Sequence, residues 1–568
     1  MVREKAPLIV LLAICLTVCS HGFAQSQDIL LNHDLYHYLD RVDIRGYTDS
    51  VVHTDIKPVS RAYVADVLRR ADRSQMGVNE RKWHQRMYKL VWDDLPDSTN
   101  RTGILGEFYR NGRDFYQLKG ENFQLFANPA LSIGGGFERH QFDSSGTTNQ
   151  GLSLNSRGFV LRGMLYKKIG IYAEVHDNLA RYPQFVIQRS DIQPNQRANL
   201  PGETFVKTFD RNPNALNFFH NRAYMTYQPA KFLNIKFGHD RAFWGNGYQS
   251  LALSDNGANY FFLQFNSCFW KLEYTNLFAQ MIDYFAAKPD RAGTFPRKYA
   301  VFHQLSYKPT SWLSLGAFES IVYSPVAPNG QRGFELQYLN PLIFFRSIEQ
   351  TLGSSDNGTL GFTTKINALK HLQVYTQFVI DDFNFAKFRD GDGFWANRFG
   401  YQAGLKYIDL LNIPTLDVQL EYNRLRPFMY QHFNVASNYR HYGQNLGHAA
   451  GSNLNELNLI FRYHPLPAWN VMLRYSRMQQ GLNPNGENYG GDIGISTDVP
   501  RPVGDFGNEV AQGDLLEIDQ LYGRLTYQLG HSGTWLDVIG RYRTENEVQS
   551  AMVLAGIRLN LAQREIKY

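Results

Sequence analysis

Apolar and polar side chains alternate along most of this chain with a period of two residues, from about residue 104 to the end. A β-strand points successive side chains to opposite faces, so this period predicts strands with one apolar and one polar face. The clearest stretch alternates Leu521, Gly523, Leu525, Tyr527 and Leu529 with Tyr522, Arg524, Thr526 and Gln528. Soluble sandwiches and membrane barrels share this period, so the period alone does not decide between them.

The lengths of the predicted connections favour a barrel. Short turns are predicted near residues 167–168, 228–229, 308–309, 369–370, 411–412, 464–465 and 531–532. Longer polar segments lie between them, at residues 178–219, 280–297, 384–396, 426–452 and 480–513. Short turns at one end and long loops at the other are typical of outer-membrane barrels. We therefore predict an all-β fold, a transmembrane antiparallel β-barrel.

The composition agrees with this fold. The chain has 34 Tyr, 39 Phe and 8 Trp in 568 residues, yet its mean hydropathy is −0.38. Such values are expected where half of each strand faces lipid and half faces a polar lumen. Tyr227, Tyr307 and Tyr463 precede predicted turns and would form an interfacial girdle; in a soluble sheet they would be ordinary strand ends. The net charge of +6 is spread without a basic block, so we expect no nucleic-acid partner.

The first 24 residues have the order of a secretory signal peptide. A basic start, Met1 to Lys5, precedes an apolar stretch of about 11 residues, Leu8 to Val18, and cleavage is expected after Ala24. A membrane-spanning helix needs about 20 apolar residues, so we expect none in the mature protein. Cys19 would permit a lipoprotein interpretation, but Val18 before it is bulkier than usual. Without Cys15 and Cys19, the chain keeps only Cys268 and has no internal disulfide.

Residues 25–100 follow a different pattern and are predicted to form a periplasmic helical region. After Pro58-Val59-Ser60, apolar residues recur at helical spacing as far as Ala71, and a second helix is predicted over residues 79–93. These amphipathic helices need a surface to pack against. We expect them as a small bundle at or inside the periplasmic mouth of a barrel formed by residues 101–568.

No catalytic signature is present, and the 16 histidines are scattered singly without metal-binding spacing. We therefore expect no enzyme, no cofactor and no metal site. The most unusual stretch is residues 238–258, which carries aromatic rings and polar groups on a glycine-rich backbone. Stacking and hydrogen bonding suit a polysaccharide, and the candidate ligand-binding residues are Arg241, Trp244, Asn246, Tyr248 and Asn256. The alternative is a packed loop in the lumen, with Arg241 paired to an acid.

The end of the chain resembles the signal that the barrel-insertion machinery reads. Gly556 is followed by spaced apolar residues up to Leu561. The pattern departs from that signal because Leu554 stands where a polar residue is usual and because residues 562–568 follow it. We expect the insertion machinery as a partner during biogenesis.

The stretch around residue 244 resembles the capsule assembly proteins of the Wzi family. Arg241 to Gly247 is similar to that family's basic, aromatic Trp-Gly-x-Gly element, and Ser250 to Ala258 is similar to its S-L-x-L-S-x-N-x-A stretch. Asn340-Pro341-Leu342, with Phe344 and Arg346, is a looser match. Asn246 stands where proline is expected. The order of signal, helices and strands also agrees.

This resemblance implies a barrel of about 18 strands with a helical bundle, located in the outer membrane of a Gram-negative-type bacterium. It implies a lectin-like protein that helps to assemble or attach capsular or other exported polysaccharide, with outer-membrane lipid around a monomeric barrel. The alternative is a porin or substrate-specific channel, which needs an open lumen. An outer-membrane hydrolase is a third hypothesis that no residue spacing supports.

Overall fold

In a computed structural model of this chain, the described residues form one barrel with its lumen filled. They are residues 27–49, 52–91, 114–142, 146–190, 197–209, 212–283, 295–327, 330–341, 345–354, 356–530 and 533–567. The predicted signal peptide, residues 1–24, lies outside them.

Eighteen strands of the described residues close into a barrel. They are β1 (Phe123–Phe142), β2 (Gly146–Leu165), β3 (Ile169–Arg181), β4 (Asn212–Ala230), β5 (Leu233–Asp240), β6 (Tyr260–Phe269), β7 (Leu272–Ile282), β8 (Arg297–Thr310), β9 (Leu313–Tyr323), β10 (Asn357–Ala368), β11 (Leu372–Asp382), β12 (Arg398–Tyr407), β13 (Leu416–Leu425), β14 (Leu454–Tyr463), β15 (Trp469–Leu482), β16 (Asp514–Leu529), β17 (Thr534–Glu545) and β18 (Val548–Leu559). The predicted strand number of about 18 is confirmed.

Each strand pairs antiparallel with its neighbours in sequence, and β18 pairs with β1 to close the ring. This last pairing runs from Leu559 opposite Leu131 to Gln549 opposite Gln141. Closure leaves no strand edge unpaired, which is the condition for a sheet to lie in lipid.

The period-two pattern places apolar side chains outside and polar side chains inside. On β16, Leu521 and Leu525 are exposed on the outer surface, whereas Arg524 and Gln528 are buried in the lumen. The outer surface therefore offers lipid an apolar band, and the inner surface must find partners for its polar groups.

Connections at one end are short and most of those at the other end are long, as the sequence predicts, although β17 and β18 are joined at the long-loop end by only two residues. Short turns connect β2–β3, β4–β5, β6–β7, β8–β9, β10–β11, β12–β13, β14–β15 and β16–β17. Pro229 and Pro309 lie within strand ends, so the turns lie at residues 231–232 and 311–312, after the predicted positions, and the turn after Phe269 was not predicted. The predicted turn at residues 531–532 lies outside the described residues. At this end Trp270 and Trp312 are exposed on the outer surface, where aromatic rings suit the membrane interface.

Three helices lie at the short-turn end: α1 (Leu35–Arg45), α2 (Arg61–Arg70) and α3 (Val78–Leu90). Two of them match the predicted helical stretches, although residues 92–93 of the second prediction lie outside the described residues. Helix α1 was not predicted, although Leu35, Leu39 and Val42 have helical spacing and are fully buried. Among the described residues, no helix is both long enough and apolar enough to cross a membrane.

Charged side chains attach these helices to the barrel wall. The guanidinium of Arg41 on α1 binds Glu80 at 2.8 Å, Asp409 at 3.0 Å and Asp417 at 2.5 Å, and its side chain is 1% exposed. Trp83 on α3 stacks on His464 with ring centroids 3.9 Å apart. Helix and barrel are therefore joined by buried ion pairs and by ring stacking.

The loop between β9 and β10 folds over the outside of the barrel. Its helix α5 (Phe345–Leu352) packs on Val301 and Ile321, which point outward. Asn340 and Pro341, part of the looser family match, lie in this loop, whereas Leu342 and Phe344 lie outside the described residues.

The remaining elements are short. The helices are α4 (Gln184–Gln188) and α6 (Phe385–Asp390), with 3-10 turns at Arg73–Gln75, Leu336–Leu339, Leu410–Asn412, Val435–Ser437 and Pro484–Gly486. The short strands are Ile56–Lys57, Tyr116–Lys119, Arg197–Asn199, Phe205–Phe209, Phe243–Trp244, Val326–Ala327, Gly330–Gln331, Arg440–His441 and Gln444–Asn445.

Replacing Arg41 with Met should detach the helices from the barrel. The change leaves Glu80, Asp409 and Asp417 without their shared cation, a loss of about 3–5 kcal/mol for a buried ion pair broken on one side. Faster amide hydrogen exchange in α1, measured by mass spectrometry, is the expected result. Arg81→Met, on the exposed side of α3, serves as the matched control. Equal exchange in both variants would contradict the assignment.

Candidate functional site

The stretch that the sequence singles out leaves the wall after β5 and folds into the lumen before β6. We call residues 241–259 the lumenal segment. Its Phe243–Trp244 pairs with Ile56–Lys57 of the N-terminal region as a two-stranded sheet. From the long-loop side, Tyr430 donates a hydrogen bond from its hydroxyl to the carbonyl of Leu251 at 2.7 Å. The segment is thus held between the helical region and the loop that follows β13.

Trp244 is packed in the interior of the lumen. Its side chain has no exposed surface, and its ring meets Phe302 of β8 edge-on at 5.9 Å. Leu251, Leu253 and Tyr430 belong to the same apolar cluster. In this arrangement Trp244 contributes packing and presents no ring face to a sugar.

Asn246 and Tyr248 lie next to Trp244 and are also held by the protein. Asn246 is buried. The backbone N–H of Tyr248 donates to Glu421 at 2.6 Å, and its hydroxyl donates to Glu565 at 3.0 Å. Arg474 lies over the Tyr248 ring at 4.8 Å. The tyrosine ring is therefore clamped between the wall and the end of the chain.

Arg241 and Asn256 are the two predicted residues that line a cavity. Arg241 donates from Nη1 to the carbonyls of Gly202 at 3.2 Å and Gly257 at 3.1 Å. Burial lowers the pKa of the Arg241 guanidinium, and the nearby Asp255 opposes that shift. The alternative interpretation of this stretch was a packed loop with Arg241 paired to an acid; here Arg241 holds the loop through two backbone carbonyls, with Asp255 nearby.

The cavity has a volume of about 180 Å³. Pockets for drug-sized ligands hold about 300–1,000 Å³, so this space suits a single sugar unit or a smaller ligand. Charged side chains of both signs line it, namely Glu174, Glu203, Asp255, Asp537, Glu565, Arg222, Arg241, Arg558, Arg564 and Lys567. Closely spaced donors and acceptors match a ligand rich in hydroxyls.

The end of the chain forms one side of this cavity. After β18, residues 560–567 turn back into the lumen. Lys567 donates from Nζ to the carbonyl of Tyr248 at 3.1 Å and forms an ion pair with Asp255 at 3.3 Å. Burial would raise the pKa of the Asp255 carboxyl, but Lys567 and Arg241 bring it below its usual value. From the sequence alone, residues 562–568 are described only as residues that follow the last strand. The charged side chains among them were the available signal that this segment forms buried ion pairs.

Sequence reasoning also missed a group that the wall brings together at the same cavity. Glu174 and His176 on β3 lie beside His220 on β4, and one ligand atom from each lies within 4.8 Å of the others. His176 and His220 face each other directly in the strand register. The spacing of Glu174 and His176 on one strand was visible in the sequence. The third residue, His220, comes 44 residues after His176 in the chain.

The profile of the family described as capsule assembly protein Wzi matches residues 163–545, more than half of the chain. The chain belongs to the capsule assembly protein Wzi family. Within this family, Escherichia coli Wzi has a solved structure and is an outer-membrane carbohydrate-binding β-barrel involved in group 1 capsule assembly. It is similar to this chain over 94% of this chain and 100% of its own, with a TM-score of 0.56 and 14% sequence identity, which supports the shared fold.

Two other solved barrels are more distant. Pseudomonas aeruginosa OprD matches with a TM-score of 0.38 and 10% identity over 77% of this chain and 96% of its own. Pseudomonas aeruginosa OccK8 matches with a TM-score of 0.40 and 8% identity over 77% of this chain and 98% of its own. No curated protein sequence matches this chain significantly.

Replacing Trp244 with Ala should destabilise the filled lumen. Removing a fully buried Trp costs about 3–5 kcal/mol because it leaves a cavity in the apolar cluster. A lower midpoint of thermal unfolding in detergent is the expected result. Trp312→Ala, at an exposed turn, is the matched control and should change the midpoint much less. If both variants unfold at the same temperature, Trp244 does not carry this packing.

Proposed function

We propose that this protein binds polysaccharide at the outer membrane and helps to assemble or attach capsular or other exported polysaccharide. The family match and the fold shared with Escherichia coli Wzi, a carbohydrate-binding outer-membrane barrel, support this proposal. The role is one of binding and not of catalysis.

The position in the membrane follows from the surface of the barrel. The apolar outer band of a closed eighteen-stranded barrel faces lipid. The short turns and helices α1 to α3 then face the periplasm, and the long loops face outward. Polymer reaches this protein from the side of the long loops.

The observation that supports a ligand-binding site is the polar cavity beside the lumenal segment. Arg241 and Asn256 line it together with acids and bases of the wall and of the chain end. We assign direct ligand contact to Arg241 and Asn256, and we assign to Trp244, Asn246 and Tyr248 the support of this wall. The long loops, residues 182–211, 426–453 and 483–513, would add weak contacts along a repeating polymer.

Replacing Asn256 with Ala should weaken polysaccharide binding without unfolding the barrel. Asn256 is partly exposed to the cavity, and losing a hydrogen-bonding group costs about 0.5–1.5 kcal/mol. The measurement is calorimetric titration of the detergent-solubilised protein with the surface polysaccharide of its own source, or with oligosaccharides cut from it. Asn122→Ala, at an exposed site near the short turns, is the matched control and should bind like wild type.

The outcomes of this titration separate the parts of the proposal. Weaker binding by Asn256→Ala alone supports the cavity as the contact site. Equal binding by all three proteins keeps the function but moves the site to the long loops, where Phe433 and Phe506 are exposed and can be replaced in turn. If wild type binds no polysaccharide, the proposed function is wrong.

The channel alternative makes an opposite prediction about conductance. Between the helices and the long loops, the lumen is packed with apolar side chains around Trp244, Leu251, Leu253 and Leu446. We therefore expect no steady ion conductance from the wild-type protein in planar bilayers. A steady open current would favour the channel over the binding protein.

A further inference from the structure

We propose that Glu174, His176 and His220 form a binding site for one Zn²⁺ ion in the wall of the lumen. All three side chains line the same cavity, so space for an ion and a water molecule lies next to them. Two imidazoles and one carboxylate are a donor set that zinc uses when a fourth position stays open.

The carboxylate of Glu174 has one oxygen held and one oxygen available. Its Oε2 accepts hydrogen bonds from the hydroxyl of Tyr172 at 2.7 Å and from Nη1 of Arg222 at 3.3 Å. Its Oε1 faces Nε2 of His176 at 3.4 Å. The carboxylate is thus oriented by its neighbours, with one oxygen directed to the imidazole.

The tautomer of His176 follows from Asn178. The amide nitrogen of Asn178 donates to the carbonyls of His176 at 3.2 Å and Phe218 at 3.3 Å, so its Oδ1 faces Nδ1 of His176 at 2.9 Å. An amide oxygen only accepts, so Nδ1 carries the proton. In the neutral ring, Nε2 then presents its lone pair to Glu174.

His220 is oriented in the same way by a carboxylate. Its Nδ1 lies 2.8 Å and 3.0 Å from the two oxygens of Glu203. A carboxylate that accepts Nδ1–H leaves Nε2 as the nitrogen for a metal, and this arrangement of carboxylate, histidine and metal is common around zinc. Arg564 in turn binds Glu203 at 3.1 Å.

The distance between His176 and Glu174 fits two ligands of one ion better than a hydrogen bond. N–H···O hydrogen bonds are about 2.7–3.2 Å long, and two acceptor atoms that face each other repel unless a cation lies between them. Ligands about 2.1 Å from a tetrahedral zinc ion lie about 3.4 Å from one another. The observed 3.4 Å has this value. The ligand atom of His220 lies within 4.8 Å of the other two, and its ring stacks on the His176 ring at 4.7 Å.

Among the described residues, the ion pairs linked to the site join four acids, Glu174, Glu203, Asp240 and Asp28, to three cations, Arg222, Lys236 and Arg564. Arg222, which contacts Glu174, is also bound by Asp240 at 2.7 Å, and Asp240 pairs with Lys236 as well. In a second cluster, His53, Asp55 and Glu273 also lie within reach of one another, but both oxygens of Asp55 are held, by Lys308 at 2.9 Å and by the hydroxyl of Ser306 at 2.6 Å. At the proposed site Arg222 binds only Oε2 of Glu174, at 3.3 Å, and Oε1 is directed to His176.

The test measures zinc on the intact protein purified without a polyhistidine tag. Wild type, after dialysis against Zn²⁺ and removal of free ion, should retain one equivalent by elemental analysis. Titration with Co²⁺ should give the visible absorption of a tetrahedral ion with nitrogen and oxygen ligands. His176→Ala, His220→Ala and Glu174→Gln should lose the retained metal and that absorption. Glu203→Gln should weaken affinity by about 10–100-fold, the effect of removing an outer partner of a ligand.

His371→Ala is the matched control, because His371 is partly buried near a short turn, away from this cluster. It should keep the full equivalent of zinc. Heat-modifiable migration on gels verifies that each variant is a folded barrel, and Glu174→Gln preserves the shape of the side chain if an alanine variant fails to fold. Absence of zinc from wild type, or retention of zinc by folded Glu174→Gln at wild-type affinity, would overturn the site. Since this assay needs no polysaccharide, its result is independent of the proposed function.

Discussion

The whole structure depends on the rule that backbone polar groups in lipid must be paired within the protein. The pairing of β18 with β1 meets this rule by closing the ladder of eighteen strands. Closure also creates an enclosed inner surface, and the alternation of side chains turns half of every strand toward it. The inner wall therefore carries buried charges such as Arg474 and Arg524, and an eighteen-stranded ring is too wide for wall side chains alone to fill.

The chain fills this space from three directions. The N-terminal helices enter from the short-turn end, the lumenal segment enters after β5, and residues 560–567 turn back after β18. The helices and the chain end bring charges that pair with the wall, as Arg41 does with Asp417 and Glu565 with Arg474, and Lys567 pairs with Asp255 of the lumenal segment. Buried ion pairs bring little net stability but specify position, because a shifted partner leaves a charge without its counter-charge. This explains how segments far apart in sequence reach fixed places.

The same packing limits where a ligand can be held. The apolar cluster around Trp244 separates the helical region from the long loops, while the polar cavity lies to one side, between β3, β4 and the chain end. Residues of one short stretch of sequence thus lie in two different environments. Arg241 and Asn256 border the cavity, and Trp244 with Tyr248 holds the wall behind it.

The sequence by itself determined the strands and the sorting of short turns from long loops, because period and turn chemistry are local properties of neighbouring residues. The number of about 18 strands came from the family resemblance. It also identified residues 238–258 as unusual. Only the tertiary structure decided which of those residues are buried, that helix α1 docks through Arg41, and that the chain end returns to the lumen. It alone brought His220 beside Glu174 and His176. Such neighbours arise from the closure of the ring and the register of its strands, and these long-range pairings leave no periodic mark in the sequence.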